Sequence, residues 1–225
     1  MGGGSWTSSA FCSYSTSKGY TVTSSGTIDI KDSAQQYFSN CGLDPKMNPF
    51  KVLRECVDTE EHPNTLPVIL ALDVTGSMGG AAKKVAEQLN VIMTDLYNNV
   101  KDVEFCVMGI GDLSYDDCPI QMSQFESDIR ICEALDKIYF EGGGGGNSFE
   151  SYTAAWYMGL NHCKLDCNTR GKKGIIITLG DEVPNPYLPK NSLAAVTGDK
   201  LQSDVDTEQL YKDVCEKFDV YHISI

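Results

Sequence analysis

One apolar run constrains the fold more than any other feature of the sequence. Residues 66–72 read LPVILAL, without polar alternation, and the run ends at Asp73. An uninterrupted apolar run of this length is typical of a strand that is buried on both faces of a parallel sheet. Because ligands of open α/β sheets bind just beyond the carboxyl ends of such strands, Asp73 is a candidate site residue.

Two hydroxyl side chains follow this acid at intervals of two residues. Asp73, Thr75 and Ser77 are separated by single small residues, and a glycine pair comes next. An extended or turning backbone can direct three side chains with this spacing at one point. One carboxylate and two neutral hydroxyls form an oxygen-only donor set, which suits Mg²⁺, Ca²⁺ or Mn²⁺. The sequence therefore predicts a divalent-cation site after this strand.

The charge and cysteine content limit the classes of partner and compartment. A formal net charge of -13 and a pI of about 4.5 argue against a nucleic-acid or anionic-membrane surface. We expect no secretory signal and no membrane span, since no segment has the required apolar length. The nine cysteines are odd in number and several lie within apolar patterns, which favours a reduced, cytoplasmic protein.

The first 65 residues are predicted to be an extension of the main domain. Residues 1–26 are rich in Gly, Ser and Thr, and we expect them to form a mobile arm because they bury little apolar surface. A docked arm stays open as the alternative, since Trp6, Phe11, Tyr14 and Tyr20 punctuate this stretch. A short helix is predicted at 32–40 and a strand at 50–57. Since this segment is too small for its own core, we expect it to pack on the domain at 66–225.

Strands and helices alternate through the rest of the chain. The predicted elements are a strand at 66–72, a helix at 78–99, strands at 103–110 and 119–125, a helix at 127–139, a helix capped by Asn147 or Ser148 and ending near Cys163, a strand at 173–179, a helix at 206–217 and a strand at 220–225. The short interval between the second and third strands predicts an antiparallel hairpin. This order predicts an α/β fold with a doubly wound, mainly parallel sheet and one antiparallel edge strand.

The first loop of this domain resembles a known metal-binding motif. Residues 73–77 read DVTGS, which is similar to the D-x-[ST]-x-S metal-ion-dependent adhesion site (MIDAS) of the von Willebrand factor A (vWA) domain. The order of elements across 66–225 is similar to that domain as well. The resemblance implies a Rossmann-like sheet, a bound divalent cation, and capture of a partner's carboxylate by that cation.

The resemblance also implies ligands from two further loops. Asn147 follows the glycine run 142–146 and stands where the family usually has Thr or Asp, with Ser148 as a second candidate donor. Asp181 corresponds to the acid of the third loop, although the chain reads TLGD at 178–181 where Thr-Asp-Gly is usual. The implied metal ligands are Asp73, Thr75, Ser77, Asn147, Ser148 and Asp181.

Electrostatics supports a cation at this position independently. Asp73 and Asp181 are each expected at the end of one of two adjacent strands, and two like charges 4 Å apart near a protein surface repel by about 4 kcal/mol. No Lys or Arg lies in the three loops, so a metal ion is the favoured compensation.

Further acids at 112–117 are expected at the same edge of the sheet as Asp73 and Asp181. Together with the glycine run and the 121–128 stretch, they resemble uncharacterised bacterial and phage proteins of this superfamily.

The end of the chain departs from the family pattern. A vWA domain continues with a helix after its last strand, whereas this sequence ends on the apolar strand that reaches Ile225. An uncovered sheet face would expose a large apolar patch. The leading segment or a partner covers that face, or the chain is a fragment; we expect a fragment or a partner-dependent chain.

The predicted function is a binding module rather than an enzyme. In this interpretation Mg²⁺, or a similar ion, captures an acidic side chain of a protein partner, and the loop at 182–204 selects that partner. A P-loop is excluded by the spacing at 76–84. Two alternatives stay open: a structural subunit of a larger assembly, and a haloacid-dehalogenase-like phosphotransferase with Asp73 as nucleophile. The latter needs a second acid where Thr75 stands.

Overall fold

The computed structural model of the chain describes residues 4–141 and 149–225. The helices are α1 Ser8–Ser17, α2 Ala34–Tyr37, α3 Gly79–Asn99, α4 Arg130–Leu135, α5 Thr153–Asn161, α6 Asp166–Thr169, α7 Lys190–Thr197 and α8 Thr207–Val214, with one 3₁₀ turn at Gly76–Met78. The strands are β1 Arg54–Cys56, β2 Leu66–Asp73, β3 Val103–Ile110, β4 Ile120–Met122, β5 Phe149–Glu150, β6 Cys163–Leu165, β7 Gly174–Gly180, β8 Val183–Pro184, β9 Tyr187–Leu188, β10 Val205–Asp206 and β11 Phe218–Ser224.

A five-stranded sheet forms the centre of the domain. Its strand order is β11-β7-β2-β3-β4, in which the first four strands are parallel and β4 runs antiparallel to β3 at one edge. Every residue of β3 is buried, as expected for an interior strand with helices on both faces. The predicted α/β class is confirmed, together with the mainly parallel sheet and the antiparallel edge strand.

The register of the sheet brings the ends of three strands together. Leu72 of β2 pairs with Gly109 of β3 on one side and with Leu179 of β7 on the other. Since these strands are parallel, the loops that follow them leave the sheet at the same edge. Asp73 is therefore placed between the loop after β3 and the loop after β7.

Helices cover both faces of the sheet and form two apolar cores. On one face α3 buries Ala82, Ala86, Leu89 and Met93. On the other face α5 and α8 bury Ala155, Met158, Leu210 and Val214.

In the described residues 4–26 the arm is docked on the domain, so the favoured expectation of a mobile arm is wrong and the alternative holds. Residues 8–17 form α1, which Thr7 caps by accepting a hydrogen bond from the Ala10 amide. Trp6 and Phe11 are 7% and 2% exposed within the α3-side core, and Trp6 Nε1 donates to Asn90 Oδ1 at 3.2 Å. Two buried aromatic side chains supply the apolar area that a Ser-rich composition conceals.

The segment between the arm and β2 packs on the same core, as predicted. Helix α2 begins with a capping box between Ser33 and Gln36, and it ends earlier than the predicted residue 40 because Phe38 turns into the core. The Phe38 ring stacks on Phe140 at 5.7 Å. The strand predicted at 50–57 is reduced to β1, which pairs with β6 outside the central sheet.

Three predicted helices differ from the observed ones. The helix predicted at 127–139 is shortened to α4, and the one predicted at 206–217 is shortened to α8. Helix α5 begins at Thr153, because residues 149–150 are extended and pair with β8. The predicted cap residues Asn147 and Ser148 lie outside the described residues. Helix α7 was not predicted; its last turn closes on Gly198, which has a φ of 81°.

An apolar groove lies on the sheet face that carries α3. It has a volume of about 700 Å³ and is lined by α3, α4 and four strands, including Ile92, Ile177 and Ile223. Ile92 and Ile223 are 52% and 49% exposed. No side chain from residues 4–65 lines this groove, so the described part of the leading segment does not cover it. The predicted exposed apolar patch is thus present.

Disulfide bonds and membrane-spanning helices are both absent from the described residues. All nine cysteines lie within the described residues, and each is a free thiol. Among the helices at 4–141 and 149–225, none combines the length and the apolar character that crossing a bilayer requires.

Candidate metal centre at the carboxyl edge of the sheet

Asp73 is the central residue of the predicted site. It ends β2, the middle strand of the sheet, and its side chain is 1% exposed. Its Oδ1 accepts hydrogen bonds from the Thr75 amide at 2.8 Å and from Thr75 Oγ1 at 2.5 Å. Burial raises the pKa of Asp73, and the hydrogen bonds that favour its charged form oppose this shift without cancelling it.

Thr75 closes the turn that follows β2. Its backbone is extended, and its hydroxyl is buried against Asp73 while the next residues begin the 3₁₀ turn. A threonine hydroxyl that donates one proton keeps its oxygen lone pairs for another contact. The Thr75–Asp73 bond is therefore compatible with a cation held by the same oxygen.

The other predicted ligands are either exposed or outside the described residues. Ser77 is exposed within the 3₁₀ turn, and Asp181 is exposed directly after β7. Asp181 is close enough to Asp73 for its charge to raise the Asp73 pKa further. Asn147 and Ser148 fall outside the described residues. The structure thus brings Asp73, Thr75 and Asp181 to one edge of the sheet.

Tyr152 is a site residue that the sequence did not reveal. Its hydroxyl donates to Asp73 Oδ2 at 2.6 Å and accepts a bond from the Glu182 amide at 3.3 Å. Burial and the adjacent carboxylate raise the pKa of Tyr152, so its hydroxyl stays protonated. The contact of Tyr152 with Asp73 spans 79 positions, so no local pattern in the sequence indicated it.

Glu150 is a second unpredicted acid at this edge. Its side chain is 4% exposed, and its Oε2 has no hydrogen-bond partner among the described residues. Burial, followed by the charges of Asp73, Asp116 and Asp112, raises the pKa of Glu150 to about 8. The sequence offered only a weak signal, an acid placed between a glycine run and a helix.

The loop after β3 supplies two more acids, as its sequence indicated. Asp112 is fully buried, and Asp116 Oδ2 accepts from the Asp112 amide at 2.6 Å. Burial raises the pKa of Asp116 to about 6, and the neighbouring carboxylates of Glu141, Asp112 and Asp73 add to the shift. Negative charge therefore accumulates on this side of the site.

Ser151 fixes the three loops relative to one another. Its Oγ accepts from the Leu113 amide and from Asn185 Nδ2, each at 3.0 Å. Leu113 belongs to the loop after β3 and Asn185 to the loop after β7, while Ser151 itself precedes α5. The segment that carries Glu150 and Tyr152 is thus held in place by hydrogen bonds to both neighbouring loops.

The oxygen atoms of this donor set are of the type that a hard divalent cation prefers. It combines carboxylates with hydroxyl oxygens, and within the described residues no ion pair joins a Lys, Arg or His to Asp73 or Glu150. The unpartnered Glu150 Oε2 is a further oxygen of this kind. Across 4–141 and 149–225, no three His, Cys, Asp or Glu side chains form a metal-binding group by themselves. A cation at this edge would therefore need hydroxyl ligands as well.

Comparisons with known proteins give similar structures but no matching sequence family. No protein-family model matches the chain, and no curated protein matches it. The structure is similar to the pilus adhesin SpaC from Lactobacillus rhamnosus GG in its open conformation, with 20% identity and a TM-score of 0.42 over 59% of this chain and 16% of the adhesin. It is similar to the VWA domain of SpRpn10, with 14% identity and a TM-score of 0.41 over 71% of this chain and 88% of that one.

Proposed function

We propose that this protein is a divalent-cation-dependent protein-binding module rather than an enzyme. The observation that carries the proposal is the buried Asp73 at the carboxyl end of the central strand, bonded to Thr75 and paired with no basic side chain among the described residues. Asp73, Thr75 and Ser77 would hold Mg²⁺ or a similar ion, helped by Asp181 and by Asn147 or Ser148.

The cation would supply the positive charge that this edge lacks. Asp73, Glu150, Asp112 and Asp116 are all acids, so an acidic side chain of a partner would be repelled in the absence of the ion. With the ion bound, a carboxylate of the partner gains a favourable contact. Since Ser77 and Asp181 are exposed while Asp73 is buried, the partner would approach from the side of these two residues.

Mg²⁺ is expected to raise the melting temperature of this protein relative to EDTA. At 10 to 100 times its dissociation constant, a ligand of the folded state adds roughly 1.4 to 2.7 kcal/mol, a shift of a few degrees for a chain of this size. Thermal melting in EDTA, Mg²⁺, Mn²⁺ and Ca²⁺ measures this shift.

Two variants make that measurement specific. Asp73→Ala should abolish the shift, whereas Asp219→Ala, which removes an acid 57% exposed at its side chain and remote from the site, should retain it. A shift that survives in Asp73→Ala would place the ion elsewhere. No shift with any of the three ions would contradict the proposal.

A structural subunit is the second candidate function. The apolar groove favours it, because macromolecules associate through contiguous apolar surfaces of this kind. Association through that groove involves no metal ligand. Assembly that is equal in EDTA and in Mg²⁺ would support this candidate over the cation-dependent one.

A further inference from the structure

We propose that Glu150 is an acidic ligand of the cation site, contributed by the segment that precedes α5. This inference rests on the proposed cation site at Asp73. It extends that site to a residue which the D-x-[ST]-x-S motif and its two accompanying loops do not include. The bound ion would be a divalent cation with hard, oxygen-only ligands.

The environment of the Glu150 carboxylate carries the inference. The side chain is only 4% exposed, and its Oε2 is buried without a hydrogen-bond partner in the described residues. Burying a carboxylate is costly unless a proton, a basic group or a metal ion compensates its charge. One of these three must therefore offset the burial of Glu150.

A basic group is excluded within the described residues. The largest charge effects on Glu150 come from acids, namely Asp73, Asp116, Asp112 and Glu182. None of the ion pairs in this part of the chain includes Glu150. The buried Asp73 is one of these acids. A proton would neutralise Glu150 alone, whereas a cation would compensate both carboxylates together.

The backbone holds Glu150 at the edge where the predicted ligands lie. Glu150 pairs with Pro184 in the short parallel contact of β5 with β8, and its carbonyl accepts from the Asn185 amide at 3.0 Å. Two residues later, Tyr152 bonds directly to Asp73. The segment is thus anchored on one side to the loop after β7 and on the other side to the end of β2.

An acid in this position has two consequences that can be measured. It strengthens cation binding, because a second buried carboxylate acts on the ion. It also destabilises the ion-free protein, since the carboxylate is then buried among like charges. A merely structural glutamate that is buried and protonated would produce the second effect but not the first, so weaker cation binding is the result that identifies a ligand.

Titration of the full chain with Mn²⁺, followed by electron paramagnetic resonance of the free ion, tests the inference. Glu150→Gln should weaken Mn²⁺ binding by at least about 10-fold, since the loss of a group that only supports a metal ligand already costs about 10- to 100-fold. Glu182→Gln is the matched control, because it deletes an equal charge from an exposed position of the same rim. Its effect should be about 3-fold or less, as exposed charges are screened by salt.

Asp73→Ala and melting in EDTA complete the experiment. Glu150→Gln should melt in EDTA above the wild-type temperature, which also shows that the variant folds. Wild-type affinity in Glu150→Gln, with binding lost in Asp73→Ala, would overturn the role of Glu150 and leave the Asp73 site standing. Equal weakening by Glu150→Gln and Glu182→Gln would reduce Glu150 to a contributor of net charge and overturn its role as a ligand. A wild-type protein that binds no Mn²⁺ would overturn both proposals.

Discussion

Phe11→Ala is expected to lower the free energy of unfolding by about 3 to 5 kcal/mol, the range for truncation of a buried aromatic side chain. Phe11 is 2% exposed and packs beside Trp6, with 5.7 Å between ring centroids, in the core formed on α3. Truncation leaves a cavity that the short helix α1 cannot fill. Urea denaturation followed by circular dichroism measures the loss.

Ser13→Ala provides the control for this experiment. Ser13 lies in the same helix and is exposed, so its replacement should change stability by about 0.5 kcal/mol or less. If Phe11→Ala were no more destabilising than Ser13→Ala, the first residues would be a mobile arm, as their composition suggests. The docking of α1 would then be refuted.

Gly180→Ala is expected to destabilise the protein by about 1 to 3 kcal/mol, the usual cost of forcing additional atoms into a packed site. A methyl group at Gly180 would overlap the ring and the hydroxyl of Tyr152, far inside van der Waals contact. Tyr152 would have to move, and its hydrogen bond to Asp73 would be strained or lost. Thermal and urea unfolding measure this loss.

Gly80→Ala is the matched substitution for Gly180→Ala. Gly80 lies in α3, and no atom lies within 4 Å of a methyl group added there. Since alanine favours a helix over glycine by up to about 1 kcal/mol, Gly80→Ala should be neutral or stabilising. Equal stability of Gly180→Ala and wild type would mean that Tyr152 does not occupy the space above Gly180.

The central strands were predictable because a strand that is buried on both faces carries apolar side chains at consecutive positions. Residues 66–72 are a continuous apolar run and residues 103–110 are interrupted by one charged residue, Glu104; they form β2 and β3 with almost the same bounds. The antiparallel pairing of β4 with β3 followed from the short connection between them. These features depend on local sequence alone, which explains why they needed no tertiary information.

A mobile arm was favoured over a docked one, and α7 was not predicted, for two different physical reasons. The arm is polar in composition, and it is ordered because a few aromatic side chains enter a core made by distant residues. Helix α7 had local signals that went unused, since Pro189 precedes it and Gly198 ends it in the left-handed conformation. Tertiary contacts order the arm, whereas local turn residues define the two ends of α7.

The candidate site was predictable only in its first loop. Asp73 and Thr75 are two residues apart, so their contact is local and their spacing indicated it. Tyr152 and Glu150 reach the same edge across more than 70 positions, and only the sheet register and the bonds of Ser151 place them there. The roles of Asn147 and Ser148 stay a prediction, as these residues lie outside the described part of the chain.

The most direct test of the cation site is anomalous diffraction from crystals grown with Mn²⁺. We predict one anomalous peak in contact with the side chains of Asp73, Thr75 and Ser77, and its disappearance in crystals of Asp73→Ala. Such a peak would establish that the acids at this edge of the sheet hold a divalent cation. Crystals without a peak there, or with an undiminished peak in Asp73→Ala, would contradict the account.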